Sequence, residues 1–168
     1  VSGSMSGANV MHYAIAVGIL MATISSIPGK LITFSERPEV FSFDPTADIF
    51  DVFRLVKRCR WGYNTNLDAT YQLLLKEMTQ ARSRGMDIST DFTLAIVTDG
   101  QFDTMVQGPS LASFDSFQTR QEKAFTALGF GVPLVVYWNM NVVKPSFPAQ
   151  SFTTGVKLVA GFSQTVAV

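Results

Sequence analysis

Apolar residues follow two kinds of pattern along this chain, long stretches with helical spacing and short continuous runs. Residues 8 to about 25 are apolar on nearly all sides and rich in small side chains. This pattern predicts a helix packed within a core and ended by the Pro28-Gly29 dipeptide. Residues 30–34 and 39–43 predict two strands of a hairpin around a turn at residues 35–38. The first quarter of the chain is therefore expected to form a helix and a β-hairpin.

The remaining chain alternates between helical and strand patterns. Asp44-Pro45-Thr46 is expected to open a helix that runs to about Cys59. Further helices are expected at residues 67–84 and 113–128, and further strands at residues 92–97, 133–138 and 155–160. The run at residues 92–97 is continuously apolar, as in parallel strands that are buried on both faces. Helices that alternate with such strands predict an α/β fold with a mostly parallel sheet flanked by helices.

Composition narrows the range of partners. Of the 168 residues, 47% are hydrophobic and 15% are charged, whereas soluble domains carry about 25% charged residues. Part of the surface is therefore expected to be covered by further chain, a neighbouring domain or a subunit. The 13 basic and 13 acidic residues balance, so no overall attraction to nucleic acid or to an anionic membrane is expected. The single cysteine, Cys59, excludes an intrachain disulfide and favours a reducing compartment.

The apolar stretch at residues 10–27 approaches the length of a membrane span. It contains His12 and Thr23, and no basic segment precedes it, so neither a span nor a signal peptide is expected. We predict a buried helix here, no membrane association, and an intracellular (cytoplasmic or nuclear) protein.

Three separate segments carry oxygen-bearing side chains that suit a hard divalent cation. Val1-Ser2-Gly3-Ser4-Met5 offers two hydroxyls on a glycine-containing turn, and Thr65 lies in a polar loop between two helical patterns. Asp99 follows the most strand-like run, in Thr98-Asp99-Gly100. Hydroxyl and carboxylate oxygens are the ligands of Mg²⁺, Mn²⁺ and Ca²⁺. If the fold brings these segments together, they form a metal-dependent binding site.

The order of these segments resembles the metal-ion-dependent adhesion site (MIDAS) of von Willebrand factor A-like domains, Asp-x-Ser-x-Ser with a distant Thr and a distant Asp. By position, Ser2 and Ser4 match the two serines, Thr65 matches the threonine and Asp99 matches the second aspartate. The resemblance covers essentially the whole chain. It implies one three-layer, Rossmann-like domain over residues 1–168. It also implies a protein-interaction module that binds a metal, Mg²⁺ or else Mn²⁺ or Ca²⁺.

Two further phrases refine the resemblance. Leu-Ile-Thr-Phe-Ser-Glu-Arg-Pro (31–38) and Val-Lys-Leu-Val-Ala-Gly-Phe-Ser (156–163) are most similar to an uncharacterised group from plants and giant viruses. A similar domain occurs in the Ro ribonucleoprotein autoantigen. The resemblance implies that the motif's leading aspartate precedes Val1, that the first strand is missing with it, and that the last helix is missing after Ser163. The domain is therefore expected to be truncated at both ends.

In the resulting site, Ser2, Ser4 and Thr65 are expected to ligate the ion directly, and Asp99 directly or through water. Asn64, Asn66 and Gly100 are expected to shape the rim that a partner touches. The hydroxyls are neutral, so the ion keeps positive charge and open positions for an acidic residue of a protein partner.

Other side chains suggest alternatives. Arg54, Lys57, Arg58 and Arg60 form a basic surface followed by aromatic residues, which is typical of RNA contacts and also of a solvated helix. The only histidine, His12, has no adjacent nucleophile, so a catalytic triad is excluded. Basic neighbours can activate the thiol of Cys59, although a structural cysteine is favoured. Asp44, Asp48 and Asp51 suit a helix N-terminus. We predict that the chain is not an enzyme.

Overall fold

The computed structural model describes residues 10–33, 37–59, 66–88, 92–98, 111–140 and 154–161. The helices described there are α1 (Val10–Thr23), α2 (Ile49–Lys57), α3 (Leu67–Ser83) and α4 (Leu111–Ala127). The strands are β1 (Lys30–Thr33), β2 (Glu39–Ser42), β3 (Thr93–Thr98), β4 (Leu134–Asn139) and β5 (Val156–Ala160). The chain divides into two compact units, Val1–Ile88 and Ser89–Val168, and each is described separately.

The described part of the first unit contains three helices and a hairpin. Strands β1 and β2 pair antiparallel, from Lys30 opposite Ser42 to Thr33 opposite Glu39. Helix α1 contacts α2 and β1, and it buries four side chains: Ala14, Ile15, Ile19 and Ala22. At the start of α2, Asp48 accepts hydrogen bonds from the backbone N–H groups of Phe50 and Asp51. The carboxylate thereby satisfies two donors that the first helical turn leaves unpaired.

Gly29 makes the tight connection between α1 and β1. Its φ angle is 73°, and its N–H donates to the carbonyl of Ala22 at 2.9 Å. A Cβ at this position would lie 2.1 Å from the carbonyl oxygen of Phe43. Only glycine accepts both the left-handed backbone and this close approach, so Gly29 fixes the turn that leads into β1. The helix itself ends at Thr23, a few residues before the predicted Pro28-Gly29 stop.

The second unit is built on a parallel sheet in the order β3–β4–β5. Thr93 pairs with Leu134 and Thr98 with Asn139, so β3 and β4 are in register over their full length. Parallel neighbours need a crossover connection, and α4 lies between β3 and β4 along the chain. Phe125 of α4 is fully buried, with its ring 5.7 Å from that of Phe92.

Polar contacts hold the β5 side of this sheet. The indole N–H of Trp138 donates to the buried carbonyl of Gly161 at 2.7 Å. The amide of Gln118 on α4 donates to the carbonyl of Thr154, just before β5, at 2.9 Å. These bonds attach the chain on either side of β5 to β4 and to α4.

The α/β class predicted from the sequence is confirmed, and each described helix and strand lies within about two residues of its predicted position, apart from the start of α2. The hairpin is confirmed as well, although residues 34–36 of its turn lie outside the described residues. The single domain over residues 1–168 stays a prediction. None of the helices in the described ranges is long and apolar enough to cross a membrane.

The predicted helix entry at Asp44 is wrong. The helix begins at Ile49, and Asp48 rather than Asp44 is its N-cap. Asp44 instead accepts hydrogen bonds from the backbone N–H and the hydroxyl of Thr46, at 2.8 and 2.7 Å. An Asp side chain that bonds two residues ahead forms an Asx-turn, which competes locally with helix formation.

Candidate functional site

The carboxyl edge of the parallel sheet carries buried polar residues. Thr98 at the end of β3 and Asn139 at the end of β4 are both buried, and they pair across the two strands. Met140 N–H donates to the Thr98 carbonyl and Gly161 N–H to the Asn139 carbonyl, each at 2.8 Å. These backbone bonds hold the strand ends at the position from which Asp99 follows.

The predicted metal ligands Ser2, Ser4, Thr65 and Asp99 lie outside the described residues, as do Asn64 and Gly100 of the predicted rim. Their roles stay predictions. Among the described positions, no three His, Cys, Asp or Glu side chains lie close enough to hold a metal ion. The predicted set differs chemically from such a cluster, since three hydroxyls and one carboxylate supply its oxygens.

Asn66 is the one predicted rim residue that the structure describes. It is the N-cap of α3, and its side-chain oxygen accepts from the backbone N–H of Ala69 at 3.0 Å. Its carbonyl also accepts from the hydroxyl of Thr70 at 2.9 Å. These bonds give Asn66 a structural role directly after Thr65, and its role at a partner-binding rim stays a prediction.

The predicted basic surface lies on the C-terminal half of α2. The side chains of Arg54, Lys57 and Arg58 are exposed, whereas Arg60 lies outside the described residues. Arg54 pairs with Asp51 at 3.0 Å, and both side chains are about two-thirds exposed. Cations in the last helical turn interact favourably with the helix dipole, so this arrangement also fits a stable solvated helix.

Phe50 was missed by the sequence reasoning. The sequence analysis gives it no functional role, yet its side chain is 69% exposed. Val52 and Val56 form the buried face instead. Phe50 lies four residues before Arg54 and seven before Lys57, a spacing that places all three on one side of the helix. This spacing of Phe50 from two basic residues is the sequence signal that could have indicated its exposure.

The remaining candidate side chains, His12 and Cys59, have environments that fit structural roles. His12 is half-buried in α1, with its ring 5.8 Å from Phe53 of α2. The thiol of Cys59 is half-buried and lies 3.8 Å from the carbonyl of Leu55. Burial raises the pKa of Cys59, and the negative charge of Glu39 raises it further. A thiol with a raised pKa is a weak nucleophile, which favours the structural role.

The acidic residues before and within α2 also act locally. Asp48 caps the helix and Asp51 lies in its first turn, as predicted for carboxylates near a helix N-terminus. Hydrogen bonds from the backbone and hydroxyl of Thr46 lower the pKa of Asp44. Each of these side chains has its own local hydrogen bonds or ion pair, and none forms a catalytic carboxylate pair.

Comparison with known proteins places the chain among domains without an assigned role. A family model described as "Domain of unknown function (DUF7788)" matches residues 1–167. Uncharacterized protein L728 of Acanthamoeba polyphaga mimivirus is 32% identical over 166 residues. That match covers 97% of this chain and 28% of the viral protein, so the chain spans little more than a quarter of the relative's length. No solved structure matches the chain.

Proposed function

Since the chain belongs to the DUF7788 family, whose function is unknown, we propose that it is a protein-interaction module with a divalent metal at its binding site. In this proposal the domain is of the von Willebrand factor A type, a three-layer Rossmann-like fold, and performs no catalysis. The residues that hold the ion are Ser2, Ser4, Thr65 and Asp99. The partner is an intracellular protein that offers an acidic side chain.

The observation that carries the proposal is the position of Asp99. It directly follows Thr98, the last residue of β3, and β3 is a parallel strand paired with β4. In open α/β sheets, ligands collect outside the carboxyl ends of the strands. Since Asp99 follows the last residue of such a strand in the sequence, its carboxylate is expected at this edge, which supports a ligand role for it.

The donor chemistry suits Mg²⁺, and also Mn²⁺ or Ca²⁺. Hydroxyls of serine and threonine are hard, neutral oxygens, and Asp99 supplies the one negative charge of the set. An ion held by these groups keeps about one positive charge and open positions that water fills. A carboxylate of a partner protein is attracted to such an ion, so the metal joins the two proteins.

The loop before α3 provides secondary support. Asn66 is half-buried and caps α3: its side-chain oxygen accepts from the N–H of Ala69, and its backbone carbonyl accepts from the hydroxyl of Thr70. Thr65 immediately precedes this capping residue in the sequence, which supports its inclusion in the proposed ligand set. We assign Asn64, Asn66 and Gly100 to the rim of the site.

The experiment is a thermal unfolding series with Mg²⁺ and Mn²⁺. An ion that binds only the folded chain raises the melting temperature as its concentration increases. We expect this rise in the wild type and its loss in Asp99→Ala. Asp87→Ala is the matched control, because Asp87 is an exposed aspartate after α3, and it should keep the full rise. Equal metal responses in all three proteins would contradict the proposal.

A second candidate function is RNA binding through α2 and the residues that follow it. The observation that favours it is an exposed aromatic ring, Phe50, one turn before Arg54 on a helix that ends with Lys57 and Arg58. Bases stack on exposed rings, while basic side chains contact phosphates. Arg60, which follows α2, is included in this surface.

Binding of a labelled single-stranded RNA at several salt concentrations tests this candidate. Arg58→Glu should abolish salt-dependent binding, because it removes a phosphate contact and adds a repulsive charge. Arg84→Glu is the matched control, since Arg84 is the C-cap of α3 as Arg58 is of α2. Equal losses in the two variants would show that only overall charge matters, and would contradict a site on α2.

A further inference from the structure

The buried side chains of the parallel sheet change from apolar to polar at its carboxyl end. Before the last residue pair, the buried side chains of β3 and β4 are aliphatic or aromatic: Ile96, Val97, Tyr137 and Trp138. The last pair, Thr98 and Asn139, is polar and buried, and the side chain of Asn139 is fully buried. These polar groups therefore lie at the edge where open α/β sheets bind their ligands.

Asn139 is an unusual residue for its position. It ends β4, which lies between β3 and β5, and asparagine is depleted in strands. Burial of its amide also costs free energy that burial of a leucine side chain of similar size does not. Residues that break such local rules are expected where a function requires them. Asn139 is therefore a candidate for a role at the proposed site.

The strand register relates Asn139 to Asp99. Asn139 is the partner of Thr98 across β4 and β3, and Asp99 follows Thr98 in the sequence. Neighbouring strands lie about 4.8 Å apart and successive Cα atoms about 3.8 Å apart. The Cα atoms of Asn139 and Asp99 are therefore expected within about 9 Å of each other. An amide and a carboxylate side chain at this separation can reach each other with a hydrogen bond.

The backbone of Asn139 is held on both sides. Its carbonyl accepts from the N–H of Gly161 at 2.8 Å, and the N–H of Met140 donates to the carbonyl of Thr98 at 2.8 Å. Asn139 is also paired with Ala160 of β5. A side chain on such a fixed strand end can orient a neighbouring group more precisely than a side chain on a loop.

We propose that Asn139 is a positioning residue of the metal site, and that its amide donates a hydrogen bond that orients the carboxylate of Asp99 toward the ion. This inference rests on the proposed function, since it requires an ion at Asp99. A primary amide has two donor hydrogens and an acceptor oxygen, so Asn139 can bond to the carboxylate and to the buried strand end at once. The amide is neutral, so it leaves the charge that attracts the ion in place.

Asn139→Leu removes the amide and keeps a similar side-chain volume. Loss of a hydrogen bond that orients a metal ligand typically weakens metal affinity about 10- to 100-fold, and we expect the dissociation constant for Mn²⁺ to rise by this factor. The electron paramagnetic resonance signal of free Mn²⁺ gives this constant, and circular dichroism checks that the variant is folded. A purely structural Asn139 would instead lower the melting temperature and leave the affinity of the folded protein unchanged.

Asn139→Asp tests how close position 139 lies to the ion. Like Asn139→Leu, this variant lacks the amide donor, but it adds a negative charge. A carboxylate a few ångströms from a divalent ion attracts it, so Asn139→Asp should bind Mn²⁺ at least about tenfold more tightly than Asn139→Leu. Equal affinities of these two variants would place position 139 away from the ion and overturn the proposal.

Gln121→Met is the matched control, because Gln121 on α4 is also a buried amide of the unit Ser89–Val168. It should bind Mn²⁺ as tightly as the wild type. If Asn139→Leu binds Mn²⁺ as tightly as the wild type, or if Asn139→Leu and Gln121→Met weaken binding equally, the proposal for Asn139 is overturned and the metal site remains. If the wild type binds no Mn²⁺, the proposed function fails, and the proposal for Asn139 fails with it.

Discussion

The two units of this chain differ in where exposed aromatic and aliphatic side chains and buried polar side chains are concentrated. In the unit Val1–Ile88, apolar side chains such as Tyr13, Leu20 and Phe50 are exposed, while polar residues cap helices and form ion pairs. In the unit Ser89–Val168, the parallel sheet buries polar side chains of Thr98 and Asn139 at its carboxyl edge. The first unit therefore presents apolar side chains on its helix surfaces, whereas the strand end that precedes Asp99 in the second unit is polar and buried.

The source of this difference is the local secondary structure. A surface helix such as α2 buries only one side, and the side chains on its other side are exposed to solvent, whether polar or apolar. A parallel strand that is covered on both faces can bury polar residues, as β3 and β4 do with Thr98 and Asn139 at their carboxyl ends. Buried polar groups need hydrogen-bond partners, and none of the buried side-chain atoms in the described part of the chain lacks one.

Among the substitutions considered, the largest loss of stability is expected in the core of the unit Ser89–Val168. Phe125→Ala removes a fully buried ring that contacts Phe92, and it should cost about 3–5 kcal/mol of the free energy of unfolding. Phe50→Ala is the control in the unit Val1–Ile88. It should change the free energy of unfolding by about 0.5 kcal/mol or less, because that ring is exposed. Urea unfolding followed by circular dichroism measures both. Similar losses would contradict the assignment of a core to Phe125 and a surface to Phe50.

The next largest loss of stability is expected at the ion pair between Lys30 of β1 and Glu77 of α3, in the unit Val1–Ile88. Both side chains are largely buried, so Glu77→Gln leaves a poorly solvated lysine and should cost about 1–3 kcal/mol. Lys30→Met combined with Glu77→Gln should recover part of this loss, because the unpaired charge is gone.

Asp51→Asn removes the exposed pair with Arg54 and provides the comparison, with an expected loss below about 1 kcal/mol. If Glu77→Gln proves no more costly than Asp51→Asn in chemical denaturation, the Lys30 pair does not hold β1 to α3.

A smaller effect is expected at the cap of α3. Asn66→Ala removes the acceptor of the Ala69 N–H and should cost about 1 kcal/mol, whereas Asn66→Asp should keep most of the stability. Hydrogen exchange of the first turn of α3 should increase in the alanine variant only. Unchanged exchange would show that the side chain does not cap the helix.

The smallest effect is a pH dependence at Cys59. Its pKa is raised above the ordinary value of 9.0 by burial and by Glu39, so the folded chain holds the thiol proton more tightly than the unfolded chain does. This contribution to stability is complete below the unfolded pKa and is lost as pH rises through the folded pKa. Iodoacetamide alkylation should therefore have its midpoint above pH 9.0, and Glu39→Gln should lower that midpoint. A midpoint below 9.0 would instead indicate an activated thiol.

Much of the fold could be predicted because local signals agree with it. Gly29 marks the turn into β1, since its positive φ and its approach to the carbonyl of Phe43 favour glycine. The start of α2 could not be located, because Asp44 and Asp48 are both suitable N-cap residues. Asp44 bonds to Thr46 instead, and Asp48 caps the helix. The exposure of Phe50 could not be predicted, because helical spacing locates an apolar side of a helix but not which of its side chains a neighbouring element covers.

The candidate metal site rests on segments far apart in sequence. Residue types and their order indicate hard oxygen ligands, yet whether Ser2, Thr65 and Asp99 meet depends on long-range packing that local patterns do not encode. The described residues define only the anchors beside them, Asn66 at the start of α3 and Thr98 at the end of β3.

The most direct test of the metal-site proposal is Mn²⁺-induced line broadening in the NMR spectrum of the chain. At low ratios of metal to protein, we predict that the backbone signals of Ser4, Thr65 and Asp99 broaden first and together, and that Asp99→Ala removes the effect. Broadening that is confined to exposed carboxylates such as Asp44 and Asp87, with no response at residues 4, 65 and 99, would contradict it.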